Sequence, residues 1–270
     1  MGTFSERLSA RMEESGSLLC VGLDPAPDLV FGDETGRVRD ALFEWGRQVI
    51  SQTHRFVCAF KPNLAFYEAR GSGGIAALER IMEYLGSEHP GIPVIGDAKR
   101  ADIGTTSEAY AVFLFDRLGF DAVTLSPWLG RDALRPFLDR RERGCVILCR
   151  TSNPGADDLQ ALEVGGKPLW QRVARMVAEE WNSLGNCLLV IGATRPRDLR
   201  TARRLVGDMT FLVPGVGPQG GTLDGVLEAG LNPHGKGLVI NSSRGVTTSS
   251  DMARAAGQMA AAINTARGNR

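Results

Sequence analysis

The sequence predicts a (β/α)₈ barrel that forms a single domain over residues 1–270. Eight apolar runs recur along the chain, and polar segments that include amphipathic helices separate them. Successive runs begin 22 to 42 residues apart, which is about the length of one strand and one helix. Because near-continuous apolar strands suit a sheet that is buried on both faces, the pattern favours a closed α/β barrel, with an open doubly wound sheet as the alternative.

Each predicted strand is a short run rich in Val, Ile, Leu and Phe. In chain order the runs are Ser17–Asp24, His54–Asn63, Ile92–Lys99, Phe120–Pro127, Gly144–Asn153, Asn186–Thr194, Asp208–Gly217 and Lys236–Gly245. Helical spacing of apolar residues predicts amphipathic helices over Arg39–Gln52 and Lys167–Leu184. The glycine-rich and serine-rich breaks are short, and none is typical of an interdomain linker.

Polar and charged residues follow several of the predicted strands at the point where each strand ends. They are Asp24, Lys61, Asp97, Lys99, the segment Arg150–Asn153 and the segment Asn241–Arg244. The carboxyl ends of all strands of a barrel lie on one rim, which is where barrel enzymes place their active sites. A barrel with only a structural role does not need charges there, so their convergence predicts an enzyme.

Composition and charge exclude several classes of function. Lysine plus arginine and aspartate plus glutamate both number 31, so no basic excess indicates a nucleic-acid or anionic-membrane partner. No apolar run approaches the roughly 18 residues of a membrane span, and the polar N-terminus lacks the apolar core of a secretory signal, so we expect a cytoplasmic protein. The five cysteines lie in apolar runs and are expected to be free thiols, and the three histidines show no metal-ligand spacing.

The glycine-rich segment Gly215–Gly220 (GVGPQG) has two functional interpretations. It matches the G-x-G-x-x-G dinucleotide pattern, but it follows the seventh predicted strand and no acidic residue lies about 20 residues further on. Glycine-rich backbone after the seventh and eighth strands of a barrel is better suited to bind phosphate through its N–H groups. Gln219 adds a side-chain donor and Arg244 a bidentate guanidinium, so we expect a phosphate site; the alternative is a tight-turn loop beside a surface arginine.

The stretch Val94–Thr106 (VIGDAKRADIGTT) concentrates charge directly after an apolar run. Residues two apart on a strand share a face, so Asp97 and Lys99 are expected to project together into the barrel mouth, whereas Asp102 lies beyond the strand end. Lys61 adds a second cation, and a lysine held between carboxylates should have a raised pKa. Such a lysine suits proton delivery to a basic carbanion. The alternative is an exposed run of ion pairs with no catalytic role.

Four motifs resemble the orotidine 5′-phosphate decarboxylase family, and most closely its longer bacterial subfamily. They are VGLDP (Val21–Pro25), FKPN (Phe60–Asn63), DAKRADIGTT (Asp97–Thr106) and CRTSNPGA (Cys149–Ala156). The likeness extends from the first predicted strand to the eighth. The resemblance implies a homodimeric (β/α)₈ barrel that converts orotidine 5′-monophosphate to UMP and CO₂ in pyrimidine biosynthesis, with no metal and no organic cofactor.

The resemblance also implies catalytic roles for individual residues. The catalytic array of the family is matched by Lys61, Asp97, Lys99 and Asp102. Within this array Lys99 is the proton donor to the carbanion at C6 of the pyrimidine. In the family the last acid reaches the active site from the partner subunit, and Ile103 and Thr106 match other residues that the same loop contributes across the dimer.

Substrate contacts are implied in the same way. Asp24 and Lys61 match residues that bind ribose hydroxyls, and Ser152 matches the residue at the pyrimidine edge. Gln219 and Arg244 match the phosphate ligands, which agrees with the separate argument from the glycine-rich segment.

Two other functions stay open on the residues alone. The D-x-K-x-x-D core of Asp97–Asp102 is shared with Mg²⁺-dependent phosphosugar lyases and synthases of the same barrel superfamily, such as the hexulose-phosphate synthase type. A non-catalytic barrel that binds a phosphate-bearing ligand is the second alternative. The intact array of lysines and aspartates argues against the second, because an inactive relative would tolerate losses there.

Overall fold

Eight parallel strands form the centre of the computed structural model, which describes residues 2–26, 35–216 and 221–268. The strands are β1 (Leu19–Gly22), β2 (Ala59–Lys61), β3 (Ile95–Arg100), β4 (Ala122–Leu125), β5 (Gly144–Arg150), β6 (Cys187–Ile191), β7 (Phe211–Val213) and β8 (Leu238–Ser242). Every strand pairs with the next one along the chain except β2, which is not paired with β3 in the ladder, and β1 also pairs with β8. Seven of the eight predicted runs contain one of these strands and the third covers all of β3 except Arg100, so the predicted (β/α)₈ architecture is confirmed.

Two backbone bridges close the sheet between β2 and β3. Phe60 pairs with Val94, and Asn63 pairs with Asp97. The amide of Asp97 donates a hydrogen bond to the carbonyl of Pro62 at 2.9 Å, just beyond the end of β2. Because these contacts join the two ends of the ladder, the sheet is a closed barrel, and the alternative of an open doubly wound sheet is wrong.

Helices alternate with the strands around the barrel. In the described ranges the α-helical segments are α1 (Phe4–Ser15), α2 (Thr35–Thr53), α3 (Ala65–Glu68), α4 (Gly71–Glu88), α5 (Gly104–Ala111), α6 (Arg131–Leu138), α7 (Asp157–Gln160), α8 (Leu169–Met176), α9 (Pro196–Val206), α10 (Leu223–Gly230), α11 (Arg244–Thr247) and α12 (Met252–Gly268). The chain continues as a π-helix after α5, over Val112–Arg117, and after α8, over Val177–Trp181. The predicted helix over Arg39–Gln52 lies within α2.

The predicted helix over Lys167–Leu184 is wrong at its ends. The helix begins at Leu169 and its π-helical part ends at Trp181, whereas Lys167–Pro168 pairs antiparallel with Glu163–Val164 in a short hairpin. Gly165 and Gly166 form the hairpin turn with φ angles of +62° and +75°. Two-residue turns require this left-handed backbone, which glycine adopts without strain. The turn therefore keeps the chain extended ahead of α8 despite the helical spacing of the apolar residues.

Helix α1 covers the amino-terminal face of the barrel. Phe4 is fully buried, and its ring lies against Gly144 at the start of β5. The guanidinium of Arg11 donates to the carbonyls of Val57 at 3.1 Å and His54 at 2.6 Å, both ahead of β2. These contacts cap the end of the barrel opposite the carboxyl ends of the strands.

The cysteines belong to the apolar interior, as the sequence predicts. All five are buried and free, and burial raises the pKa of each thiol. Buried thiols of this kind pack as small apolar side chains. In the part of the chain that the structure describes, no helix is long and apolar enough to cross a membrane.

Arg203, in α9, forms hydrogen bonds with the segments that lead into β7 and β8. Its guanidinium donates hydrogen bonds to the carbonyls of Gly207, Met209, Gly230 and Gly237. Gly237 directly precedes β8 and Met209 lies two residues before β7, and the guanidinium also lies 4.1 Å from the centre of the Phe211 ring. A charged donor that satisfies several carbonyls contributes more to stability than a neutral hydrogen bond does.

We therefore expect Arg203→Met to lower the free energy of unfolding by about 3 kcal/mol, because it leaves these carbonyls without their donor. Urea unfolding measures the change. Arg204→Met is the matched control: Arg204 is exposed and its guanidinium contacts only the Thr201 hydroxyl among the described residues, so its loss should change stability by less than about 0.5 kcal/mol. Equal effects of the two substitutions would contradict the account of Arg203.

Candidate active site

A cavity of about 640 Å³ opens among the carboxyl ends of the strands. Six of the residues that the sequence singles out line it, namely Asp24, Lys61, Asp97, Lys99, Ser152 and Arg244. They come from β2, β3 and the segments that follow β1, β5 and β8, so residues far apart in sequence meet on one rim. The convergence that the strand ends predict is therefore present, and it surrounds a space of the size that small-molecule sites have.

The carboxylate of Asp97 is the centre of the polar contacts in this cavity. Its Oδ2 accepts a hydrogen bond from Lys61 Nζ at 2.9 Å, and its Oδ1 accepts one from Lys99 Nζ at 2.6 Å. The hydroxyl of Thr124, in β4, donates to the same Oδ1 at 2.9 Å. Asp97 thus bridges two ammonium groups, and its side chain is only 13% exposed.

Burial and charge act in opposite directions on this array. Burial alone would lower the pKa of Lys61, whose side chain is 4% exposed, but the carboxylates of Asp24 and Asp97 outweigh burial and raise it. Burial alone would raise the pKa of Asp97, but the ammonium groups of Lys61 and Lys99 hold it well below its usual range. Lys61 and Asp97 therefore both carry their charge at neutral pH. The raised pKa that the sequence predicts for a lysine among carboxylates is confirmed for Lys61.

Lys99 reaches Asp97 from an irregular backbone. Its φ angle is +51°, and it is the one residue other than glycine with a positive φ among those described. The pairing of β3 with β4 shifts register between Gly96 and Arg100, which marks a bulge at this point. Asp97 and Lys99 do meet, as strand alternation predicts, but a bulge rather than a regular strand aims the lysine. A side chain held in the left-handed region commonly belongs to a functional site.

Thr124 supports this bulge and was not singled out from the sequence. Its hydroxyl accepts a hydrogen bond from the backbone N–H of Lys99 at 2.9 Å while donating to Asp97. It is the one polar residue within β4, whose other residues are Ala, Val and Leu. A single hydroxyl in an otherwise apolar strand is the sequence feature that could have identified Thr124 as a site residue. Thr124 fixes the direction of both charged side chains at once.

Asp24 is held at the end of β1 by the neighbouring strand. Its Oδ1 accepts a hydrogen bond from the backbone N–H of Asn63 at 3.0 Å, so the FKPN motif anchors Asp24 as well as supplying Lys61. The hydroxyl of Tyr67 donates a hydrogen bond to the carbonyl of Leu23 at 2.9 Å, which fixes the residue directly before Asp24. No residue pattern indicates these contacts, because a backbone donor or acceptor has the same chemistry in almost every residue type.

The segment after β5 is fixed by a buried arginine. Arg150 donates to Asp157 at 2.6 Å and to Asp198 at 2.8 Å, and its side chain is 4% exposed. Ser152 follows two residues later and packs closely on Gly192, where an added methyl group would come within 2.9 Å of the Ser152 backbone and Cβ. The ion pairs therefore connect the segment that carries Ser152 to α7 and α9.

The far end of the cavity combines the residues predicted to bind phosphate. Arg244 is exposed at the start of α11, and Gly215, Val216, Thr247 and Thr248 line the cavity beside it. Thr247 and Thr248 were not singled out from the sequence. Gln219 lies outside the described residues, as does the rest of its loop from 217 to 220.

Three of the predicted site residues are not brought to the cavity of this chain. Asp102, Ile103 and Thr106 lie beyond the end of β3 and are absent from the described lining. One carboxylate oxygen of Asp102 accepts from the backbone N–H of Ile103 at 2.8 Å, and the Ile103 side chain is 63% exposed. These residues lie at and just before the start of α5, outside the described lining of the chain's own cavity.

Over the described ranges, no group of three or more His, Cys, Asp or Glu side chains is arranged to hold a metal ion.

Comparison with known proteins agrees with this geometry. The model of the orotidine 5′-phosphate decarboxylase / HUMPS family matches residues 17–259. The chain belongs to this family. A relative named orotidine 5′-phosphate decarboxylase from Azoarcus sp. (strain BH72) is 48% identical over 243 residues, which cover 90% of this chain and 89% of the relative. One of the same name from Cupriavidus taiwanensis is 46% identical over 261 residues, which cover 96% of this chain and 95% of the relative.

Solved structures of the family share the fold. The structure of Leishmania donovani OMP decarboxylase superposes with a TM-score of 0.89 at 40% identity and covers 98% of both chains. That of Leishmania donovani UMP synthase superposes with a TM-score of 0.91 at 41% identity, covering 99% of this chain and 57% of the other. The barrel, and the strand ends that form the cavity, are thus the fold of this family.

The buried position of Asp97 between two cations predicts a pH-dependent contribution to stability. Asp97→Asn should lower the free energy of unfolding by about 3 kcal/mol at pH 7, because it leaves the buried Lys61 without a close counterion. The folded-state pKa of Asp97 lies below the unfolded value of about 3.9, so the difference from wild type should be constant above about pH 5 and shrink as pH falls. Urea unfolding at several pH values measures it.

Asp139→Asn is the matched control for this substitution. Asp139 pairs with Arg135 on the surface, where the two side chains are 65% and 77% exposed. Its loss should change stability by less than about 1 kcal/mol. A difference between Asp97→Asn and wild type that grows as pH falls below 4 would contradict the assignment of charge.

Proposed function

We propose that this protein is a carbon–carbon lyase that decarboxylates orotidine 5′-monophosphate to UMP and CO₂ in pyrimidine biosynthesis, as a single barrel domain in the cytoplasm, with no metal or organic cofactor. The observation that carries the proposal is the array Lys61–Asp97–Lys99 on the rim of the 640 Å³ cavity. The names of the relatives from Azoarcus and Cupriavidus agree with it.

In the proposed reaction the bond between C6 of the pyrimidine and the carboxylate carbon breaks, and its electron pair stays on C6. The Lys99 ammonium stabilises the developing carbanion and then transfers a proton from Nζ to C6, which forms the C6–H bond of UMP. The lysine recovers its proton from solvent. Its side chain is 48% exposed in the cavity, so it can reach both a substrate and water.

Asp97 has two tasks in this proposal. Its carboxylate keeps the buried Lys61 charged and accepts a hydrogen bond from Lys99, and it faces the substrate carboxylate. Two like charges about 4 Å apart repel by roughly 4 kcal/mol at an effective dielectric of about 20, and departure of neutral CO₂ relieves that repulsion. We assign the larger share of the rate to Lys99, because a fixed ammonium stabilises charge that exists only in the transition state.

The remaining cavity residues are assigned to substrate binding. Asp24 and Lys61 would bind ribose hydroxyls, and Ser152 would contact the pyrimidine edge. Arg244 would bind the phosphate with Gln219 and the backbone of the glycine-rich loop that begins at Gly215. Binding energy from the phosphate, which is remote from C6, would hold the charged groups together during the reaction.

We further propose that the protein is a homodimer in which Asp102, Ile103 and Thr106 complete the site of the partner subunit. Their position outside the chain's own cavity supports this assignment. Large apolar side chains are also exposed on the segments next to α5 and α6, namely Ile103, Val112, Trp128 and Leu129. Helix α5 packs on α6 here, with the Ser107 hydroxyl donating to the carbonyl of Ala133. Exposed apolar patches of this kind are typical of subunit contacts.

The loss of orotidine 5′-monophosphate absorbance in metal-free buffer tests the proposed reaction. We expect full conversion to UMP with EDTA present, because no step needs a Lewis acid. A Mg²⁺-dependent phosphosugar lyase or synthase would leave the nucleotide unchanged and lose its own activity in EDTA. A barrel that only binds phosphate-bearing ligands would bind UMP without converting the substrate. Either result would contradict the proposal.

Lys99→Ala should reduce turnover by at least about 10³-fold, because it removes the proton donor and the charge that stabilises the carbanion. Binding of UMP, measured by calorimetry, should persist, since the ribose and phosphate contacts remain. Lys167→Ala, at an exposed lysine in the hairpin, is the control and should keep wild-type turnover. A Lys99→Ala enzyme with substantial activity would remove Lys99 from the mechanism.

Mixed dimers test the shared site. Lys99→Ala and Asp102→Ala chains should each be inactive alone, but a heterodimer of the two should contain one intact site, because the wild-type Lys99 and Asp102 then meet across the two-fold axis. Steady-state turnover after co-refolding measures the recovery. Asp97→Ala mixed with Lys99→Ala is the control and should stay inactive, since both residues act within one chain. No recovery in verified Lys99→Ala/Asp102→Ala heterodimers would refute the shared site.

A further inference from the structure

Strand β8 and the residue after it carry two buried polar atoms with no hydrogen-bond partner. Four such side-chain atoms occur in the described residues, and two of them, Asn241 Oδ1 and Ser243 Oγ, belong to residues that line the cavity. A buried hydroxyl or amide without a partner costs about 1–3 kcal/mol. An unpaired group of this kind therefore needs an explanation, and beside a cavity a bound ligand is the natural partner.

The Ser243 hydroxyl has no structural task that accounts for it. Ser243 stands immediately before α11, where a serine often caps the helix, but its side chain makes no capping hydrogen bond. Its backbone carbonyl, rather than its hydroxyl, accepts hydrogen bonds from this helix. Removal of the hydroxyl would thus break no hydrogen bond within the described chain.

Gly22 brings the Ser243 hydroxyl next to the Asp24 carboxylate. A methyl group added to Gly22 would lie 2.8 Å from Ser243 Oγ and 2.9 Å from Asp24 Oδ2, so both oxygens flank the same point at the end of β1. The other oxygen of Asp24 already accepts from the backbone of Asn63. Oδ2 is the oxygen that receives no hydrogen bond from any described residue, and it sits beside a hydroxyl that is also unpaired.

This pair of groups has a definite chemical preference. A carboxylate oxygen only accepts hydrogen bonds, whereas a serine hydroxyl can donate one. A ligand hydroxyl satisfies both once the serine side chain turns about χ1 toward the cavity, because the ligand hydroxyl then donates its proton to the carboxylate and accepts from the serine. A phosphate oxygen does not fit, since the carboxylate would repel its charge.

We propose that Ser243 is a substrate-specificity residue that donates a hydrogen bond to the ribose hydroxyl whose proton Asp24 accepts. The inference rests on the proposed function for the identity of the ribose, and it adds a residue that the sequence motifs did not single out. Gly22 is needed for this arrangement, because a side chain at that position would collide with Ser243 and Asp24 and push them apart.

Binding of UMP, 2′-deoxy-UMP and 3′-deoxy-UMP to wild type and Ser243→Ala, measured by calorimetry, tests the proposal. Ser243→Ala should weaken UMP binding by about tenfold, the effect of one hydrogen bond in a buried site. With one of the two deoxy nucleotides the substitution should have no effect, because the hydroxyl that Ser243 contacts is already absent. Ser249→Ala is the control and should bind all three as wild type does, because among the described residues the Ser249 hydroxyl is hydrogen-bonded only to the backbone carbonyl and amide of Asp251.

A loss on Ser243→Ala that is equal for all three nucleotides would overturn the proposal and indicate a phosphate contact or a structural effect. Urea unfolding gives an independent readout: loss of an unpaired buried hydroxyl should leave stability unchanged or raise it, and a marked decrease would also overturn the proposal. Because binding of UMP is measured without turnover, failure of the decarboxylase activity would show separately in the absorbance assay.

Discussion

The site depends on one carboxylate that is shared between two ammonium groups. Lys61 could not stay charged in the barrel interior alone, because burial opposes its charge, and Asp97 supplies the opposite charge within hydrogen-bond distance. Asp97 in turn stays ionised because Lys61 and Lys99 flank it. Removing any one of the three groups leaves the others with an unbalanced charge. In the proposed reaction Lys99 can deliver a proton because the Asp97 carboxylate holds its ammonium group in the cavity.

The barrel makes that balance possible by bringing the ends of its first four strands together. The bridge between Asn63 and Asp97 that closes the barrel lies at the catalytic rim, so the contact that completes the fold also positions the central carboxylate. Thr124 then fixes Lys99 through its backbone. The opposite face is closed by α1 and by Arg203. Barrel enzymes generally place their active sites at the carboxyl ends of the strands, away from that face.

The sequence was sufficient to predict the barrel and six of the residues that line the cavity, because strand spacing and charged strand ends are visible in the residues themselves. It was insufficient where backbone geometry decides. The left-handed turn at Gly165 and Gly166 makes the helix after it start later than predicted. The bulge at Lys99 could not be predicted from the alternation of side chains along a regular strand. Asn63 holds the Asp24 carboxylate through its backbone N–H. Ser243 lies near Asp24 because both side chains pack beside Gly22. Such contacts depend on which segments the fold brings together.

A crystal structure with bound UMP tests the central claim most directly. If the array acts as proposed, Lys99 Nζ will lie within hydrogen-bond distance of C6 of the pyrimidine, and the phosphate will lie on Arg244 at the far end of the cavity. Asp97 will remain between Lys61 and Lys99. A pyrimidine whose C6 faces away from Lys99, or a nucleotide bound outside this cavity, would contradict the account.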